Sequence, residues 1–396
     1  MSMTVPHRVL IAPSGFKESL SAEEVAEAIA GGIRRVLPGA HLDVVPLVDG
    51  GEGTAATMAA ATGGRLVPVQ VTGPVGRPVE SHVAVLGGPG PVTAVVEMAA
   101  AAGLRLVPRD QRDPGATTTY GVGELVRAAL DAGAERILVG CGDSGTCDGG
   151  AGALQALGAR VLDAEGHAVE RGGSALRHAT RLDLDGLDPR LAGVEVRVAC
   201  NPHNVLLGPR GVARVFGPQK GATAAQVEEL EAGLNRWADL LEEHGGHADA
   251  GTTDLRLGAG TGASGGLGAG LAAGLGARLL PRFEVLLDHV DLDTMVRAAD
   301  LVVTAEGAVD FQTPRGKIPA EVARRAKLHG RPVVALAGSI GDGSRDVHDV
   351  GIDALASILT VPMPLEDAVA DGANLLADAA ERMMRLVLVG CAVAAV

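Results

Sequence analysis

Short apolar runs of strand length alternate along the chain with segments whose apolar positions recur every three or four residues. The run Arg8–Pro13 comes first. Ser21 and Glu24 then stand at capping-box spacing, and Val25, Ala28, Ile29 and Ile33 continue at helical spacing. Leu42–Val48 is the next strand, which completes a β-α-β unit and predicts a parallel sheet. Residues 65–72, 79–86 and 92–98 read as strands joined by turns at Gly73-Pro74 and Gly87–Pro91, a meander or mixed sheet. Helix 121–132, strand Arg136–Val139, helix 151–157 and strand Val194–Ala199 follow. Thr223 caps an amphipathic helix whose Val227, Leu230, Leu234, Trp237 and Leu241 share one face. A small-residue helix emerges from the glycine-rich stretch 258–276. Strand Leu301–Thr304, a helix from Pro319 to about His329 and strand Val333–Ala337 restore the opening texture. The apolar segment Leu386–Val396 reads as a terminal buried strand, too short to span a bilayer. The expected fold is α/β. A doubly wound parallel-sheet domain is built from residues 1–70 and 290–396, with a second, mixed-sheet α/β domain, 71–289, inserted.

Composition narrows the partners. The net charge is -14 and no Lys/Arg run interrupts it, which excludes a nucleic-acid partner. Aromatic residues make up only 2%, so the cores must be built from Val, Leu, Ile and Ala, and 57 glycines suit close packing and tight turns. The four cysteines form no CxxC pair, giving neither a zinc signature nor a disulfide framework. With no signal-peptide plan at the N-terminus, the expectation is a cytoplasmic protein with no membrane partner.

Five glycine-bearing turns follow strands, where ligands bind in open parallel sheets. Ala12–Leu20 carries Ser14 and Lys17. Asp49–Thr54 sets Asp49 and Glu52 among three glycines, where carboxylates could bind a divalent cation. Gly140–Gly152 holds Ser144, Thr146, Asp148 and Gly149 before a helix, an arrangement suited to an anion. Asn201 lies in the turn after strand 194–199, and Gln219 and Lys220 in the Gly/Pro-rich loop Phe216–Ala222. Thr304–Pro319 contains Glu306, Asp310, Gln312, Thr313, Gly316 and Lys317. Neither a Walker A loop nor a GxGxxG turn after the first strand occurs. Carboxylates for a metal and lysines for phosphates are the components of phosphoryl transfer, which needs no covalent nucleophile.

The chain resembles the bacterial glycerate kinases of the first type. The resemblance is carried in family order by APSGFKESLSAEEVAEAI (12–29), DGGEGT (49–54), TTTYGVGEL (117–125), SGTCDGGAGALQALG (144–158), VFGPQKGA (215–222) and EGAVDFQTPRGK (306–317). It implies ATP- and Mg²⁺-dependent phosphorylation of D-glycerate, in a ligand cleft between two α/β domains. In that reading Asp148, Asp310 and Lys17 are the catalytic candidates. Ser144, Thr146, Gly149, Lys220, Gly316 and Lys317 take the nucleotide. Ser14, Lys17, Asn201, Gln219, Glu306, Gln312 and Thr313 take the acceptor, and Asp49 and Glu52 the metal. The chain departs from the family pattern at Ser14, Gly15 and Glu18, and most sharply at Ala308, where the family has arginine. Arginine is the natural bidentate partner of a carboxylate. Three readings therefore stand open: a glycerate kinase, a kinase of the same mechanism for another polyol such as a cyclitol or sugar phosphate, and a non-catalytic ligand-binding relative. A homodimer is also left open.

Overall fold

The structure is a computed structural model that describes residues 5–16, 19–244, 254–287 and 290–394. Its strands, in chain order, are β1 (Arg8–Ile11), β2 (His41–Val44), β3 (Arg65–Thr72), β4 (Pro78–Val85), β5 (Thr93–Glu97), β6 (Arg136–Gly140) and β7 (Arg160–Leu162). They continue as β8 (Arg181–Asp183), β9 (Glu195–Cys200), β10 (Arg278–Pro281), β11 (Leu301–Val309), β12 (Val333–Ile340) and β13 (Ala354–Ser357). The chain divides into two compact units, Met1–Asp49 with Leu287–Val396, and Gly50–Leu286. The first change of unit thus falls at Asp49–Gly50, where the sequence texture suggested residue 70. Helix Thr54–Thr62 and β3 go with the second unit because β3 pairs along its whole length with β4.

In the first unit the sheet runs β13-β12-β11-β1-β2 and every pair is parallel. Side chains alternate across it. Val9, Ile11, Leu301 and Val303 pack with helices Ala22–Arg34 and Gly372–Ala394. The alternate residues Leu10, Val302 and Ala335 are fully buried too. Helix Ile318–Leu328 contacts β11 and β12, and Leu292–Ala298 contacts β1. This is the expected doubly wound arrangement. From β1 the chain moves outward to β2, and from β11 it moves the opposite way to β12, so the switch point lies between β1 and β11. The expected strand 42–48 is regular only to Val44, yet Val45 and Leu47 still donate to the carbonyls of Ile11 and Pro13. Ser21 and Glu24 form the capping box. Helix 22–34 lies backbone-close to helix 372–394: a Cβ on Gly32 would sit 2.1 Å from the Ala377 carbonyl oxygen.

One expectation fails. Leu386–Ala394 is the end of helix Gly372–Ala394, and residues 395–396 lie outside the described ones. An apolar run cannot by itself separate strand from helix. Here Met384 and Cys391, seven residues apart, face inward, while Leu386, Val389 and Val393 are exposed.

In the second unit the sheet runs β10-β9-β6-β5-β4-β3, with β5, β6, β9 and β10 parallel and β3-β4-β5 an antiparallel meander. β7 and β8 form a separate antiparallel pair. Helix Ala224–Glu243, capped by Thr223 with Gln226, buries Leu230, Leu234, Trp237 and Leu241. The Trp237 Nε1–H donates to the Gly149 carbonyl at 2.9 Å, deep in the second core of this unit. Trp237→Phe keeps most of the packing but leaves that carbonyl unpaired, and is expected to destabilise the protein by about 1–3 kcal/mol. Trp237 is the single tryptophan, so urea unfolding of the variant is to be followed by circular dichroism.

Candidate active site

In the first unit the candidate chemistry collects at the carboxyl end of β11, beside the switch point. The Lys317 ammonium lies 3.1 Å from Glu306 Oε1 and 3.5 Å from Asp310 Oδ1, and donates to the Ala308 carbonyl at 3.2 Å. The loop is built to hold these groups. Thr313 Oγ1 donates to Glu306 Oε2 (3.1 Å) and accepts from the Asp310 amide (3.2 Å), and the Gln312 amide donates to Asp310 Oδ1 (2.8 Å). Gly316 takes φ +98°, a left-handed turn that brings Lys317 to the N-cap of helix Ile318–Leu328. Burial pushes the Glu306 carboxyl up, Lys317 and Thr313 pull it back, and the nearby Asp49 charge adds to the rise. Two carboxylates, Glu306 and Asp310, thus share one ammonium. Ser14 ties the loop after β1 to this corner, its amide and hydroxyl both donating to the Ala305 carbonyl (2.9 and 3.0 Å). Lys17 lies outside the described residues.

The second unit gathers another set at the carboxyl ends of β5 and β6. Lys220 is buried, and its ammonium donates to Ser144 Oγ (2.8 Å) and to the Thr146 carbonyl (2.7 Å). Burial lowers its pKa, against the raising effect of Cys147 and Asp148. Asp148 is 0% exposed. Its carboxylate accepts from the Thr119 amide and hydroxyl (2.8 and 2.9 Å), from Thr118 Oγ1 (3.4 Å) and from the amides of Gly150 (3.2 Å) and Gly152 (3.3 Å). Burial raises its pKa and these donors oppose the rise. An acid so enclosed anchors the start of helix Ala151–Ala156 and has no open side for an acceptor hydroxyl. Thr146 and Gly149 are buried as well, so within Gly140–Gly150 the part with exposed surface is Gly142–Ser144. Gly149 must be glycine, since a Cβ there would meet the Trp237 ring at 2.4 Å. Asn201 Oδ1 accepts from the His203 amide (3.0 Å), and Gln219 is exposed while its neighbour Lys220 turns inward.

The residues Glu52, Glu97, Arg105 and Asp143 form a further group in this unit. Glu52 pairs with Arg105 (2.8 Å), and its amide donates to Asp143 Oδ2 (3.2 Å). Asp143 holds φ 50°, unusual for a side chain larger than glycine. Glu97, at the end of β5, is 2% exposed, and burial pushes its carboxyl up to about 7. The sequence reading passed over Glu97, Thr118 and Thr119. For Glu97 the signal was there: a lone acid closing an apolar strand run.

Glu306, with the Asp49 carboxylate nearby, offers the hard oxygen donors that Mg²⁺ prefers. Among the described residues no three His, Cys, Asp or Glu side chains form a ready-made metal cluster, and Lys317 supplies the positive charge between Glu306 and Asp310. Among the described residues, no helix is long and apolar enough to cross a membrane.

Comparison with known proteins shows the family. The profile of the Glycerate kinase family matches residues 9–388. The chain is 48% identical to a glycerate kinase of Bacillus subtilis (strain 168), over 91% of this chain and 92% of that protein. It is 43% identical to the glycerate 2-kinase of Escherichia coli (strain K12), over 91% and 93%. A crystal structure of a Salmonella typhimurium LT2 protein assigned as glycerate kinase 2 superposes with a TM-score of 0.76 at 43% identity, covering 97% of this chain and 98% of that one. A lysine among carboxylates at the switch point of a doubly wound sheet, with this likeness over nearly the full length, makes the chain a phosphotransferase acting on a hydroxyl group and a member of the glycerate kinase family.

Proposed function

We propose that this protein transfers the terminal phosphoryl group of ATP, with Mg²⁺, to a hydroxyl of D-glycerate. The observation that carries the reading is the Glu306–Lys317–Asp310 cluster beside the β1/β11 switch point. Asp310 is the more exposed carboxylate of that pair, 28% against 14% for Glu306, and is assigned to orient and deprotonate the acceptor hydroxyl. Lys317 neutralises the phosphoryl oxygens, aided by the N-terminus of helix Ile318–Leu328. Glu306 and Asp49 would hold the metal, which when bound supplies positive charge against the phosphate oxygens. In the second unit, Gly142–Ser144 is assigned to the nucleotide. Asp148, Thr146, Gly149 and Lys220 act by shaping that loop. The four cysteines are buried.

A second reading rests on Ala308, whose methyl group cannot hold a carboxylate: the acceptor is then a neutral polyol. An ADP-release assay with ATP and Mg²⁺, comparing D-glycerate with cyclitols, sugars and their phosphates, separates the two. The expected result is turnover of D-glycerate above every other compound. Silence on glycerate with turnover of a polyol would reassign the acceptor and keep the mechanism.

A further inference from the structure

Helix Thr54–Thr62 cannot cap itself. Its N-cap is Gly53, which has no side chain, and its first turn contains no acid. The cap arrives from another strand: Glu97 Oε1 accepts from the Gly53 amide (3.1 Å) and Oε2 from the Ala55 amide (3.1 Å). The rest of the turn is fixed around this fork. Thr54 Oγ1 donates to the Gly51 carbonyl (2.7 Å), and Asp143 holds the Glu52 amide. Gly51 is so close to Gly142 that a Cβ on Gly142 would fall 2.6 Å from its backbone.

Gly53 takes φ +86°, where a serine or threonine would be strained, so a local side-chain cap is not open to this turn. A carboxylate buried at the end of β5 does something a local cap cannot. It fastens the Gly50–Thr54 turn to the strand end beside Gly140, the start of the nucleotide loop, so that the two loops share one reference point. We propose that Glu97 is a positioning residue for phosphoryl transfer, holding the turn that follows Asp49 in register with Gly142–Ser144. This deepens, and rests on, the kinase reading above.

Glutamine at position 97 keeps one acceptor oxygen but turns an amide NH₂ toward the second backbone donor, so Glu97→Gln halves the fork with little change in volume. Hydrogen exchange of the peptide spanning residues 50–58 is expected to quicken about tenfold or more in this variant. At a temperature well below unfolding, kcat should fall about tenfold with KM changed less than about threefold, and Glu97→Asp, which keeps both oxygens, should recover part of the loss. Wild-type kcat in Glu97→Gln, with or without faster exchange, overturns the proposal. If Glu97→Gln does not fold, Glu97→Asp is judged by the same two readouts, a partial loss in both supporting the proposal and wild-type values overturning it. A wild-type protein inactive on every acceptor sinks the kinase reading instead. Exchange alone then judges the fork, and unchanged exchange overturns it.

Discussion

Lys317→Ala is expected to lower turnover by a factor of about 10² to 10³, equivalent to about 3–4 kcal/mol of transition-state stabilisation. Catalysis of phosphoryl transfer is mostly positioning and neutralisation of charge. Lys317 lies between Glu306 and Asp310 and is carried at the N-cap of a helix, so no other described cation has its place. Its removal also leaves the Glu306 and Asp310 carboxylates facing one another with Asp49 nearby, which raises the Glu306 carboxyl further. Steady-state kinetics with saturating nucleotide and acceptor measure the effect, and circular dichroism confirms the fold. A loss below about threefold would remove Lys317 from the reacting centre and with it the assignment of this corner as the phosphoryl site.

Asp148→Asn is expected to act on stability rather than on chemistry. The carboxylate accepts from Thr119, Thr118, Gly150 and Gly152 with no exposed surface. An amide nitrogen cannot accept, so at least one buried donor is left facing another, and the Lys220 charge loses its nearby counter-charge. Breaking such a buried charged network costs about 3–5 kcal/mol. At roughly 2–4 °C per kcal/mol for a unit of this size, the melting temperature should drop by about 10 °C. Turnover per folded molecule should stay within a few-fold of wild type at low temperature. A variant as stable as wild type but inactive would instead return Asp148 to the role of base.

The residues also show where sequence reasoning reaches and where it stops. The two sheets, the Ser21 and Thr223 caps and the helix on Trp237 were readable because each is written locally, in periodicity and cap spacing. The acids and lysines of 306–317 were readable for the same reason, since one loop holds Glu306, Asp310 and Lys317. Asp148 and Asp310 looked alike in sequence, as acids in glycine-rich turns after strands. Only the fold separates them, by bringing residues 118 and 119 over the first and leaving the second partly open. Lys220 and Gln219 differ in the same way, one turned inward and the other out. Glu97 was missed because its partners, Gly53 and Ala55, lie more than forty positions upstream and act through backbone amides that carry no sequence mark. At Leu386–Ala394 apolar content was informative but direction was not, because burial on one helix face and burial in a strand draw on the same residues.

The pairing of β1 with β11 has a consequence for how the chain is made. β1 ends at Ile11, and its neighbour β11 begins at Leu301, 290 residues later. At roughly 5–20 residues per second, the ribosome needs about 15–60 s to deliver that neighbour. The unit Gly50–Leu286 is complete before then and can fold behind the tunnel on its own strands. Val9, Ile11, Val25 and Ile29 meanwhile remain solvated on a nascent segment without its central strand, the interval in which holding chaperones have most to protect. Helix 372–394, which closes against Gly32, emerges later still, so residues made early in this segment are covered only after some 340 more have been added.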